Sequence, residues 1–258
     1  MPYDAHPEIA TPGDDTVLWR YMDFAQFIHT LSTKSLWFAR QDQFEDPLEG
    51  TFTDAEFESM EKRPHGRTIR KRGPEFMRST VFVNCWRSGR HESIAMWDLY
   101  GKGSGIVAIK TTIALMKTAL KDFVRPVYIA NVAYVDWAGL LSEGWNLPNG
   151  LAMCARKDIS YQHEAEVRAM IWGHDLGLVS SPSEADAASK REETLVHRKE
   201  KAPLGLEVPF DCQRFVSEVV IGPREQQWVS GVVSSVMKMY GLTLPITISN
   251  RLKCRTGN

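Results

Sequence analysis

YQHEAEVRAMIW, residues 161–172, alternates charged and apolar side chains with a period of two. On an extended chain that period puts Glu164, Glu166, Arg168 and Met170 on one face and Ala165, Val167, Ala169 and Ile171 on the other. The apolar set predicts a side turned to a core, so the segment reads as a strand. For a generic strand, the charged set is most simply a solvated sheet surface. Two adjacent carboxylates repel, however, and one of them holds its proton more tightly unless a cation lies nearby. Arg168 is placed to supply that cation.

Outward from this strand, VLWRY reads as a strand, and a helix follows that Asp23 can cap. Phe24, Phe27, Ile28 and Leu31 keep the spacing of one buried helix face. SLWFA is the next strand, and Gln41–Gly50 is a loop punctuated by Asp46-Pro47 and Gly50. TVFVNCW and GIVAIK are strands, TTIALMKTALKD is an amphipathic helix opened by threonines, and PVYIANVAYV is a strand long enough to bend. Near the end come the strand FVSEVVIG, a helix from about Pro223 to Tyr240 stopped by Gly241, and the strand LPITIS. The pattern predicts one α+β domain over residues 16–258, with a central mixed, largely antiparallel sheet flanked by helices. Residues 1–15 read as a flexible arm, and about 51–78 and 180–203 read as polar mobile loops.

Composition narrows the function classes. The formal net charge of −1 argues against a chain that coats nucleic acid through its overall field. Cys85, Cys154, Cys212 and Cys254 form no C-x-x-C pair, so a reduced, cytoplasmic setting is expected. No apolar run reaches the roughly 20 residues of a membrane span, and no membrane partner is expected.

Three further constellations carry chemistry. FEDPLEG (residues 44–50) offers three carboxylates beside Pro and Gly. An Asx-type turn at Asp46, with Phe44 as an anchor, is the favoured reading; a site-lining or hard-cation role comes second. In SIAMWDLYG, Trp97 and Tyr100 are three apart on a helix, either as core or as a stacking wall for a planar ligand. From Lys62 to Arg78, seven basic residues stand against Glu75 alone. Arg70, Lys71 and Arg72 within that run are candidate phosphate contacts, against a solvated loop as the plainer reading. GKGSG precedes a strand and lacks the full phosphate-loop pattern. With the histidines dispersed, no metal site is predicted.

The ordered blocks LWRY, SLWFA, FEDPLEG, MWDLYG leading into GIVAI, EAEVR and VVIGP resemble the bacterial family called domain of unknown function 2971. Glu45 stands where that family commonly has Asn. A more distant likeness is to the ADP-ribosyltransferases, which cleave NAD and modify a protein, nucleic-acid or nucleotide target. That likeness implies Arg20 as the pyrophosphate arginine, Glu166 as the catalytic glutamate and Glu164 as the group that positions the acceptor. Ser88 would stand in the hydroxyl motif, although TVFVNCWRS departs from Ser-Thr-Ser. Trp97 and Tyr100 would line the cofactor site, NAD would be the cofactor, and Arg168 would contact the substrate. Two alternatives stay open: a non-catalytic effector module that binds nucleic acid or a ligand, as in anti-phage defence, and a metal-dependent hydrolase or nuclease using Asp46, Glu49, Glu164 and Glu166.

Overall fold

The computed structural model describes residues 6–62, 66–101, 105–140, 148–173 and 202–251, with the side chains of 66–72 outside the description. The loop expected over 180–203 lies almost wholly outside the described residues.

Among the described residues, helices flank a mixed sheet of nine strands. Its strands are β1 (Val17–Met22), β2 (Ser35–Arg40), β3 (Val81–Ser88), β4 (Val107–Thr112), β5 (Tyr128–Asn131), β8 (Glu166–Trp172), β9 (Gly205–Pro209), β10 (Glu218–Ile221) and β11 (Ile246–Ile248). The order is β11-β10-β4-β1-β3-β2-β9, and β8 pairs with both β3 and β5. The β10–β11 ladder is parallel; the β1–β3, β1–β4, β4–β10, β2–β3 and β5–β8 ladders are antiparallel. Two short strands, β6 (Ala133–Val135) and β7 (Arg156–Asp158), form a separate parallel pair. PVYIANVAYV is therefore two strands serving two sheets, with the break at Val132.

The backbone gathers into two compact units, each built from three separated stretches. The first comprises Met1–Thr11, Trp37–Cys85 and Phe123–Glu207. Its apolar cluster joins Met77, Val81, Val83, Ala130, Leu151, Cys154 and Met170. The N-terminal stretch, expected to be loose, is fastened here from His6 onward. Ile9 joins that cluster, the Asn131 N–H donates to the Ala10 carbonyl at 2.8 Å, and the Asn149 N–H donates to Glu8 at 2.9 Å.

The expected loop over 51–78 is instead two helices, α2 (Asp54–Glu61) and α3 (Gly66–Thr80). Thr53 opens α2 with a reciprocal capping box to Glu56, which satisfies two otherwise orphaned N–H groups. Gly66, Gly73 and Pro74 read as breakers in the sequence, yet α3 carries Pro74 in its interior and buries Met77. Packing of its C-terminal turns outweighs local propensity there.

The second unit comprises Pro12–Leu36, Trp86–Asp122 and Val208–Asn258. Helix α1 (Phe24–Thr33) starts with an Asp23–Gln26 capping box and buries Phe27 and Leu31, as its spacing requires. Trp19, Tyr21, Met96, Trp97, Ile106, Ala108 and Val220 form its core cluster, so the MWDLYG helix α4 (Ile94–Tyr100) docks through Met96 and Trp97. Thr112 caps α5 (Ile113–Ala119). After α6 (Gly150–Cys154, in the first unit) and α7 (Cys212–Phe215), the last helix α8 (Trp228–Met239) buries Val229, Val233 and Met237. Gly241, at φ +74°, ends it, a conformation glycine adopts without steric cost. Among the described residues, no helix is long and apolar enough to cross a membrane.

Candidate functional site

The charged strand is buried on both faces. From Glu166 to Ile171 every residue of β8 is buried, and Arg168 is 0% exposed. The expectation of a solvated charged face is overturned, because a buried guanidinium requires compensating carboxylates and hydrogen bonds. The strand also begins later than its periodicity suggests. Ile159–Glu164 is a 3-10 helix capped by Asp158, and Ala165 turns the chain at φ 45°, ψ 52°. Glu164 therefore reaches the centre from a helical turn and Glu166 from the first position of the strand.

Five ionisable side chains of the first unit converge. Arg168 holds Glu166 in a fork, Nε to Oε1 at 2.8 Å and Nη2 to Oε2 at 3.1 Å. Its Nη2 also donates to Glu49, and its Nη1 donates to the Cys154 carbonyl at 2.6 Å. Phe44 stacks beneath the guanidinium, 5.5 Å from its centre. Lys157 Nζ lies 2.6 Å from Glu164, 3.5 Å from Glu166, 3.5 Å from Glu49 and 4.5 Å from the Tyr161 ring centre. The Tyr134 hydroxyl accepts the Glu166 N–H at 2.7 Å.

The FEDPLEG loop delivers Glu49 to this centre. Asp46 accepts the Leu48 N–H at 2.8 Å, the expected Asx turn, and Arg78 Nη1 donates to the Pro47 carbonyl at 2.8 Å. Gly50 follows at φ +73°, where an added Cβ would lie 2.9 Å from Arg78 Cγ and 3.2 Å from Gln41 Oε1. Gln41, fully buried, donates to the same Cys154 carbonyl that receives Arg168.

Three carboxyl groups face two cations, and the titration behaviour divides among them. Burial pushes Glu166 up, but Arg168 and then Lys157 outweigh it and hold the carboxyl down at about 2. Burial pushes Glu49 above the usual carboxylate range, and Arg168 and Lys157 oppose this only in part. Burial disfavours the Lys157 ammonium, yet Glu166, Glu164 and Glu49 raise its affinity for the proton. Cys85 donates to Glu166; burial and that carboxylate keep it a thiol far above its ordinary range. Burial likewise pushes Cys154 up to about 12. Neither thiol has the depressed pKa of a nucleophile.

Glu164, Glu166 and Arg168 are thus brought together. Glu49 was read chiefly as part of a turn, while Lys157, Tyr134 and Gln41 were not foreseen. Arg20, Ser88, Trp97 and Tyr100 belong to the second unit. Arg20 lies on β1 with its guanidinium 5.8 Å from the Trp86 ring, and Ser88 pairs with Leu18 at the end of β3. Trp97 is 3% exposed, packs edge-on against Tyr21 and donates to Glu92, while Tyr100 is 46% exposed. Trp97 and Tyr100 therefore make no common stacking wall: one is core and the other is surface. The side chains of Arg70, Lys71 and Arg72 lie outside the described residues, although their backbone is helical rather than a loop.

The glutamates point at Lys157 and Arg168, and Asp46 is engaged in its own turn. Among the described residues, no group of three His, Cys, Asp or Glu is placed to hold a metal. Comparison with family models, with curated proteins and with solved structures finds no match to this chain.

Proposed function

We propose that the chain is an enzyme of the ADP-ribosyltransferase type that breaks the C–N glycosidic bond of NAD, with Glu49 as its proton-handling group. The observation that supports this reading is one arginine shared by two carboxylates whose surroundings shift their proton affinities in opposite directions. Paired carboxylates whose environments push their pKa values apart are the pattern of acid–base catalysis at sugar bonds. Glu166 supplies a fixed charge whose position Arg168 enforces. It is already doubly hydrogen-bonded, so it acts through its field and through orientation. Burial makes Glu49 bind its proton more tightly than an ordinary carboxylate, the direction in which a general acid–base group is tuned. The fixed Glu166 carboxylate favours the cationic, oxocarbenium-like state that develops as nicotinamide leaves.

The test is nicotinamide release from NAD by wild type, Glu49→Gln and Glu166→Gln, with melting temperature recorded for each. Loss of about 10²–10⁴-fold in Glu49→Gln is expected, measured at a temperature where its melting curve shows the chain folded. Folded wild type that releases no nicotinamide, with or without protein and nucleic-acid acceptors, overturns the reading.

A second reading rests on α3, which carries Arg67, Arg70, Lys71, Arg72 and Arg78 on one helix. Such a helix suits phosphate contacts. Binding of a nucleic acid that weakens steeply with salt, and is lost on neutralising Arg70, Lys71 and Arg72, would favour a recognition module instead.

A further inference from the structure

The last helix has two apolar faces. Val229, Val233 and Met237 fill the core of the second unit, as a surface helix requires. On the opposite side Trp228 is 61% exposed, Val232 37% and Met239 82%. With exposed Ser235, these residues fall at i, i+4, i+7 and i+11, a continuous stripe about 16 Å long. Gly231 beside it has nothing within 4 Å of where a Cβ would stand. Large side chains at both ends and small ones in the middle make the stripe self-complementary.

A cavity of about 240 Å³ opens at the Trp228 end, between the loop Gly222–Gln226, Trp97, Ile106 and Val229. It is smaller than the roughly 300–1,000 Å³ of sites that enclose a small-molecule ligand. A single long, unbranched side chain suits it better. Met239, at the other end of the same stripe, is such a side chain and is the most exposed of the helix's large hydrophobic residues.

We propose that this face docks a second copy of the chain, two α8 helices lying antiparallel about a two-fold axis between Val233 and Ser234. That axis pairs Trp228 with the second copy's Met239, and Val232 with its Ser235. Each Met239 enters the cavity of the opposite copy and meets the edge of Trp228, a favourable sulfur–aromatic contact. An isologous contact of this kind closes at two copies, because each knob is matched by the other's hole. The three apolar side chains expose on the order of 350 Å² per copy, the scale of the largest apolar patch on an ordinary monomer. With Arg224, Gln226 and Lys238 at the rim, the total approaches the ~1,000 Å² lower limit for specific association. A weak, concentration-dependent dimer is expected.

Sedimentation of the full chain over about 5–500 µM should resolve that dimer, and Met239→Glu should weaken it at least about tenfold. Met239 is exposed, so this substitution leaves the fold intact, which a melting curve verifies. Mixing Val232→Cys with Ser235→Cys chains should give oxidative cross-links between unlike chains in preference to like ones. A wild type that stays monomeric throughout overturns the proposal. So does a dimer indifferent to Met239→Glu, or one in which like chains cross-link preferentially.

Discussion

Arg168 stands at the centre of the charged cluster of the first unit. It is fully buried, and its guanidinium is divided among Glu166, Glu49 and the Cys154 carbonyl. Removing one member of such a network leaves uncompensated buried charge, which costs about 3–5 kcal/mol. Arg168→Met should therefore lower the unfolding free energy by about that amount, measured by urea denaturation at neutral pH. A loss below about 1 kcal/mol would mean that the cluster is solvated and loosely held. Lys cannot reproduce the fork, so Arg168→Lys should recover only part of the loss. The identities of these charged residues were legible in the sequence, and so was their shared neighbourhood. Their burial was not, because period-two alternation reports which residues share a face and says nothing of what covers it. Here the cover comes from Glu49 and Phe44, more than a hundred residues away in the chain, and from Lys157. Lys157 carried no local signal: its partners are defined only once the Ile159–Glu164 turn brings Glu164 back over it.

The elements easiest to foresee were those whose signals are local. Asp23 and Thr112 cap the helices they precede, Gly241 stops α8, and the Asp46 turn forms as FEDPLEG implies. What failed to appear was set by packing. Helix α3 forms through Gly73 and Pro74, β9 and α7 were not anticipated, and PVYIANVAYV divides because its two halves pair with different strands. The FEDPLEG turn gives the test at this scale. Gly50 lies at positive φ between Arg78 and Gln41 with no room for a methyl group. Gly50→Ala adds left-handed strain of about 1–2 kcal/mol and displaces Gln41 or Arg78. It should destabilise the chain by roughly 2–3 kcal/mol and, by moving Glu49, reduce any nicotinamide release more than its loss of stability accounts for. A variant as stable as wild type would place this turn outside the support of the centre.

For the molecule as a whole, the cluster predicts how stability responds to acid. Glu166 is held at about 2 in the folded chain, whereas a carboxylate in the unfolded chain titrates near 4.3. The unfolded state therefore takes up the proton first as pH falls. The Glu166 contribution is fully present above about pH 5 and is lost progressively as pH falls toward 2. It amounts to about 3 kcal/mol, an order-of-magnitude figure for a buried, coupled group. Glu49 acts with the opposite sign. Its raised pKa means the folded chain holds that proton more tightly, so its share of stability is present at low pH and falls as pH rises through its folded value. The sum predicts a stability maximum on the mildly acidic side of neutrality. Equilibrium unfolding from pH 3 to 8 should show it, and Glu166→Gln should flatten the acid limb while Glu49→Gln flattens the alkaline one. An acid limb equally steep in Glu166→Gln would assign the acid response to other carboxylates and remove Glu166 as the fixed charge of the centre.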